Sequence, residues 1–346
     1  MSLVVDIEKR LGTFTLRVQL TAEEGVLGLL GASGCGKSMT LKCIAGVERP
    51  DSGYIELDGV TLYDSRRHIC LPPQKRHVGY LFQSYALFPN MTVRQNILCG
   101  LRAERDRAAR ERAVSEAAEM LQLTDVLGRR PAQISGGQAQ RAALARILVS
   151  RPRLLMLDEP FSALDSHLRV RLQWQMRELL SQLGGTALLV THDRDEAYHL
   201  CGRIAVMDEG HLLAVKETKA LFADPGSVRA AQITGCKNIS RARRTGEHEL
   251  EALDWGIRLT TDKPVSADVT AVGVRAHYFN PRAPQNRFPV ACVGELEEPF
   301  EWIIKMRTPG QLEGSESIWW RLPKDKRPAV FPGELGIAPV NVLPLM

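Results

Sequence analysis

The chain has 346 residues, enough for two domains with a sizeable core, and its 45 basic against 40 acidic residues leave a formal charge of +5. So slight a basic excess argues against a nucleic-acid binder, which needs its charge gathered on one face. No apolar stretch approaches the ~18 residues that a membrane-spanning helix requires. The early charges Asp6, Glu8 and Lys9 do not suit a signal peptide, so a cytosolic address is expected, with any membrane association made through a partner. Seven cysteines (35, 43, 70, 99, 201, 236 and 292) form no C-x-x-C pair, which speaks against a disulfide framework or zinc site and fits reduced thiols.

The first element is a short apolar run at 26–30, of buried-strand type, leading into Gly31-Ala32-Ser33-Gly34-Cys35-Gly36-Lys37-Ser38. This octet fits G-x-x-x-x-G-K-[ST], a glycine-rich loop whose backbone N–H groups wrap a triphosphate. Glycines let the backbone approach phosphate closely and adopt dihedrals that side chains forbid. Lys37 is placed for the β- and γ-phosphates and Ser38 for Mg²⁺, with Met39 next in the cradle. A helix from Lys37 to Ala45, ended by Gly46, sets the phosphate at a helix N-terminus, where the dipole favours anions. Lys37 and that N-terminus are both expected to lower the Cys35 thiol pKa, so that alkylation inactivates the protein and nucleotide protects it. The other reading of Cys35 is a small residue that simply fits the loop.

Residues 92–150 are helix-rich, an insertion on the α/β body that fills 1–230. Within it, 102–112 alternates charge and offers Asp106 to Arg110 as an i,i+4 pair on a solvated face. Ser135-Gly136-Gly137-Gln138 opens a helix reaching Leu148; Ser135 and Gln138 make a capping box, whereas Gly136 and Gly137 cost helix stability and imply close approach of the backbone to a ligand. A buried strand at 154–157 ends in Asp158 and Glu159, carboxylates suited respectively to Mg²⁺ and to deprotonating a water. Leu168, Leu172, Met176, Leu179 and Leu183 mark one helix face closed by Gly184-Gly185, before another buried strand at 186–190. After residue 235 most of the nineteen prolines appear among short strand-like runs, which reads as a small all-β domain.

This ordered set resembles the nucleotide-binding subunit of an ATP-binding cassette (ABC) transporter over residues 1–230. The resemblance adds Gln83, after a strand at 80–82, as a sensor of Mg²⁺ and permease. It makes Asp165, in Ser162-Ala163-Leu164-Asp165, the loop aspartate crossing a dimer interface, and His192 the switch residue at the γ-phosphate. Two such domains pack head to tail in the family, each offering its Ser135–Gln138 equivalent to the opposite ATP. One copy of each motif therefore implies a homodimer. The usual adenine-stacking aromatic is replaced by Leu11, with Phe14 as the substitute.

Residues 71–83 are similar to the import branch, and the aromatic stretch 84–91 suits a permease helix. Val272-Gly273-Val274-Arg275-Ala276-His277 resembles a segment of that branch's accessory domain. The implied architecture is an α/β P-loop NTPase domain at 1–232, with a helical subdomain at about 92–150, followed by an OB-like (TOBE/Mop-type) regulatory domain at 236–346. Implied too are ATP and Mg²⁺ as cofactors, permease subunits and an extracytoplasmic solute-binding protein as partners, no nucleic acid, and a peripheral place on the cytoplasmic membrane face. The short carboxyl-terminal domain and compact N-terminus resemble molybdate-import subunits, so molybdate is the expected cargo; sulfate, iron(III), polyamine or sugar import are the alternatives, and a soluble oxyanion sensor is the competing class.

Overall fold

The computed structural model describes residues 2–102, 104–162 and 166–346. Two units divide the chain by internal packing, Met1–Thr218 and Lys219–Met346. The first holds eleven strands: β1 (Leu3–Leu11), β2 (Phe14–Ala22), β3 (Gly25–Leu30), β4 (Ser52–Leu57), β5 (Val60–Asp64), β6 (Ile69–Cys70), β7 (Val78–Leu81), β8 (Leu154–Asp158), β9 (Thr186–Thr191), β10 (Arg203–Asp208) and β11 (His211–Glu217). They form one sheet in the order β6-β5-β4-β1-β2-β11-β10-β3-β9-β8-β7.

The block β10-β3-β9-β8-β7 is parallel throughout. Every residue of β8 and β9 is buried, as expected where helices cover both faces of a parallel sheet. In β2 the burial alternates instead, and its partner β1 runs antiparallel. The parallel block matters for chemistry because its carboxyl ends lie along one edge.

The helices of this unit are α1 (Lys37–Ala45), α2 (Val93–Leu98), α3 (Arg107–Met120), α4 (Gly136–Leu148), α5 (Ser166–Leu183) and α6 (Arg194–Leu200). Gly46 ends α1 with φ 77°, a left-handed conformation that glycine adopts without steric cost. Arg76 lies against it, 1% exposed, and donates to the carbonyls of Cys43, Ile44 and Leu71. A buried cation at a helix C-terminus satisfies orphan carbonyls and complements the dipole.

Leu172, Met176 and Leu179 of α5 are buried as their spacing predicts, while the side chains of Leu168 and Leu183 lie outside the described residues. Asp106 does not form the expected pair with Arg110. It caps α3 instead, accepting from the Ala108 N–H at 2.9 Å, because a side-chain acceptor just outside a helix meets unpaired N–H groups first.

In the second unit are α7 (Thr218–Ala223), whose first residue closes the preceding unit, and α8 (Val228–Ile233). Ten strands follow, β12 (Asn238–Arg244), β13 (Glu249–Ala252), β14 (Ile257–Thr260), β15 (Ala271–Val274), β16 (Phe288–Pro289), β17 (Ala291–Glu297), β18 (Glu301–Arg307), β19 (Ile318–Pro323), β20 (Glu334–Leu335) and β21 (Val342–Leu345). They make sheets β14-β13-β12-β15-β21, β17-β18-β19 and β16-β20 around a core that includes Trp255, Val272, Met306 and Trp320.

Candidate active site

Four neighbouring parallel strands each end in a residue that the sequence singles out. The octet follows β3, His192 follows β9, Asp158 closes β8 with Glu159 next, and Gln83 lies two residues beyond β7. The parallel pairing therefore gathers positions far apart in sequence at one edge of the sheet.

In the loop, Ala32, Ser33 and Gly34 are exposed, whereas Gly31, Cys35 and Lys37 are buried. Gly36 caps α1 with φ 105°, a backbone conformation that L side chains rarely adopt. Lys37 donates from Nζ to the carbonyls of Gly31 and Ala32, at 2.9 and 2.8 Å. Met39 packs on the core and Phe14 does likewise, its ring beside Gly36 and Gly210. Leu11 is more exposed.

Cys35 corrects the expectation of a reactive thiol. It is 5% exposed, and burial raises its pKa despite the opposing charge of Lys37, whose Nζ lies 3.8 Å from Sγ. In the native chain iodoacetamide is expected to modify the exposed Cys70 and Cys292 at least about tenfold faster than Cys35, a thiolate being the nucleophile; peptide mapping after timed labelling checks this, and equal rates would contradict it.

Ser38 Oγ donates to Asp158 Oδ1 at 2.7 Å, joining loop and strand end. Tyr80, which sequence reasoning missed, donates to Asp158 Oδ2 at 2.8 Å. Its signal lies in the β7–β8 register. Tyr80 pairs with Met156, so Asp158 is the same-face diagonal neighbour, within reach of a long aromatic side chain.

Among the described residues no cluster of three or more His, Cys, Asp or Glu could hold a metal by itself. Ser38 and Asp158 offer two hard oxygen donors beside the phosphate cradle, a set that fits a Mg²⁺ shared with nucleotide oxygens and water.

Glu159 has φ 45°, a left-handed conformation uncommon for a non-glycine residue. Its N–H still donates to Val190 O at 2.9 Å, so the strand pairing holds the turn in place. One carboxylate oxygen lies 3.2 Å from His192 Nδ1, and the other accepts from Gln83 Nε2 at 3.3 Å. Gln83 also donates to Ser162 Oγ at 3.2 Å.

Glu159, Ser162, Arg169, Thr191, His192, Asp193 and Glu196 line a cleft of about 40 Å³, room for a few waters at about 10–15 Å³ each on this measure. Glu196, a second residue missed from sequence, is 3% exposed and accepts from Thr191 Oγ1 at 2.6 Å. Burial raises its pKa. Glu159 is more solvated than Glu196, with 16% of its side chain exposed.

Ser135 and Gln138 form the expected capping box on α4, with Gly136 exposed and Gly137 buried at its first turn. Ala163, Leu164 and Asp165 lie outside the described residues.

Residues 16–162 match the sequence model of the ABC transporter family. Putrescine transport ATP-binding protein PotG of Escherichia coli K12 is 43% identical over 224 residues, 64% of this chain and 58% of PotG. Sulfate/thiosulfate import ATP-binding protein CysA 2 of Chromobacterium violaceum is 39% identical over 265 residues, 76% of this chain and 71% of that protein. The dimeric post-hydrolysis structure of the ATP-binding cassette MJ0796, bound to ADP and Pi, aligns with a TM-score of 0.54 and 26% identity over 63% of this chain and 99% of that one. The match spans 58% of PotG and likewise 58% of the PotA protein of Methylococcus capsulatus. With the phosphate loop, the paired acids and His192 at one sheet edge, and with CysA 2 aligned over most of its length, the chain belongs to the ABC transporter family.

Proposed function

We propose that this chain is the ATP-hydrolysing subunit of a membrane importer, peripheral on the cytoplasmic face and paired with permease subunits that receive solute from an extracytoplasmic binding protein. One observation carries the reading: the Glu159 carboxylate is held between Gln83 and His192 beside the Ser38–Asp158 pair. An oxyanion sensor has no use for that network.

Bound MgATP supplies the scissile phosphoryl bond and a cation that offsets its charge. Lys37 and the loop N–H groups hold the phosphates. Glu159 takes a proton from water in the cleft, and His192 keeps the carboxylate and γ-phosphate in register. Ser135, Gly136, Gly137 and Gln138 of a second copy close over the nucleotide, with Asp165 at the same interface and Phe14 against adenine. The stretch 84–91 presents Phe88, 41% exposed, to the permease, while Arg146 braces the loop by donating to the Tyr85 and Ala86 carbonyls.

For cargo we place polyamines and sulfate ahead of molybdate. The similar proteins are named as polyamine and sulfate importers, whereas molybdate rests on the short carboxyl-terminal domain and compact N-terminus. The β-rich second unit we assign to regulation, as an OB-like accessory domain.

Size-exclusion chromatography of a Glu159→Gln variant tests the assembly. MgATP is expected to double its apparent mass, and ADP to leave it monomeric. A Glu159→Gln chain that stays monomeric with MgATP, together with a wild-type chain that shows no turnover even when joined to its permease, would sink the proposal.

A further inference from the structure

The phosphate-loop motif and the family resemblance account for Ser38 at one oxygen of Asp158, but assign nothing to the other. That oxygen accepts the Tyr80 hydroxyl at 2.8 Å. The phenol is half-buried, and its ring lies 4.2 Å from that of Phe82, centroid to centroid. Tyr80 and Phe82 stand two residues apart at the end of β7 and so share a face of the sheet. A phenol, with an ordinary pKa of about 10, is protonated in the neutral range, so the hydroxyl acts as a donor toward the carboxylate.

A carboxylate on a strand end is free to rotate about its terminal torsion, which is broad and roughly two-fold. Two donors on opposite oxygens, one from β7 and one from α1, remove that freedom. The Ser38 hydroxyl spends its single proton on Oδ1 and keeps its lone pairs for a cation. We propose that Tyr80 is a positioning residue for the metal-bearing nucleotide: it fixes the Asp158 carboxylate in the plane that lets Ser38 and Asp158 act together on the cation. This rests on the nucleotide reading given above.

The test uses the full chain with ADP and with Mn²⁺ as a paramagnetic stand-in for Mg²⁺. Free Mn²⁺ is followed by electron paramagnetic resonance, and ADP affinity is measured separately in EDTA. Tyr80→Phe keeps the ring and its contact with Phe82 but removes the hydroxyl. It is expected to weaken Mn²⁺ binding to the protein–ADP complex by roughly tenfold, as for loss of a hydrogen bond to a charged group, while ADP affinity in EDTA stays within about twofold.

Superimposable Mn²⁺ titrations for wild type and variant would overturn the assignment. So would an equal loss of ADP affinity in EDTA, which would mean that the ring packs the site and does not orient the carboxylate. If the wild-type chain binds no ADP, the nucleotide reading itself fails and the role of Tyr80 falls with it. Normal ADP and Mn²⁺ binding by the wild type, with an unchanged Tyr80→Phe titration, removes Tyr80 alone.

Discussion

Replacing Glu159 by Gln is expected to lower ATP turnover by about 10²–10⁴-fold, the range lost when a general base is removed. The substitution keeps size and shape, and the new amide can still meet His192 and Gln83 at the two positions where the carboxylate oxygens stand, 3.2 and 3.3 Å from their partners. What disappears is the capacity to take a proton. Nucleotide affinity should hold, because the loop, Lys37, Ser38 and Asp158 are untouched. Steady-state turnover and equilibrium binding of a fluorescent nucleotide separate the two effects. Turnover within about twofold of wild type would remove Glu159 from the chemistry, since a base that contributes 10² or more cannot be lost so cheaply. A parallel loss of binding would point to a disturbed site.

The second large effect is on stability. Arg76→Ala is expected to destabilise the first unit by about 3 kcal/mol or more, since each buried acceptor left without its donor costs ~1–3 kcal/mol. The Arg76 guanidinium donates to Cys43 and Ile44 at 2.9 and 2.8 Å and to Leu71 at 2.8 Å. Its loss takes the side-chain donor from the Ile44 and Leu71 carbonyls, leaves the Cys43 carbonyl to the Gly46 N–H at 3.2 Å, and opens a cavity where a 1% exposed side chain stood. Arg76→Lys keeps one charge but cannot reach all three carbonyls with a planar fork, so it should recover only part of the loss. Urea unfolding followed by circular dichroism gives the comparison, with a midpoint shift of about 1 M or more for the alanine variant at a slope of ~1–3 kcal/mol per M. A shift below about 0.3 M would mean that α1 does not depend on this cation.

Much of the site was legible because its chemistry is written locally. The octet, the strand-end acids and the Ser135–Gln138 capping box each need only neighbours in sequence, and each lies where its pattern predicts. Helix α1 begins at Lys37 and ends before Gly46, and β15 spans Ala271–Val274, because glycine punctuation and short apolar runs have few other solutions. Tyr80, Glu196 and Arg76 were not legible. Their partners are contributed by other elements, so their roles exist only once β7 meets β8, Thr191 meets α6 and α1 meets the segment after β6. Of the two readings of Cys35, the reactive thiol is the one countered, for a related reason. Proximity to Lys37 is visible in sequence, but the burial that outweighs it is not. Asp106 shows the local competition, where a cap at the helix start prevailed over the pair with Arg110.

The parallel pairing of β3 with β9 joins Gly25 to Thr186 and Leu30 to Thr191, so the strand that feeds the phosphate loop acquires its neighbour only after most of the first unit has been made. Contacts so distant in sequence must overcome a large loop-closure entropy before they return any energy, and topologies rich in them fold slowly. The cradle at 31–38 is complete early in synthesis, yet Asp158, Glu159 and His192 reach it only when the late strands insert between β3 and β7. A nascent chain therefore carries a phosphate loop before the residues that meet it, and the site is assembled only once β8 and β9 stand between β3 and β7.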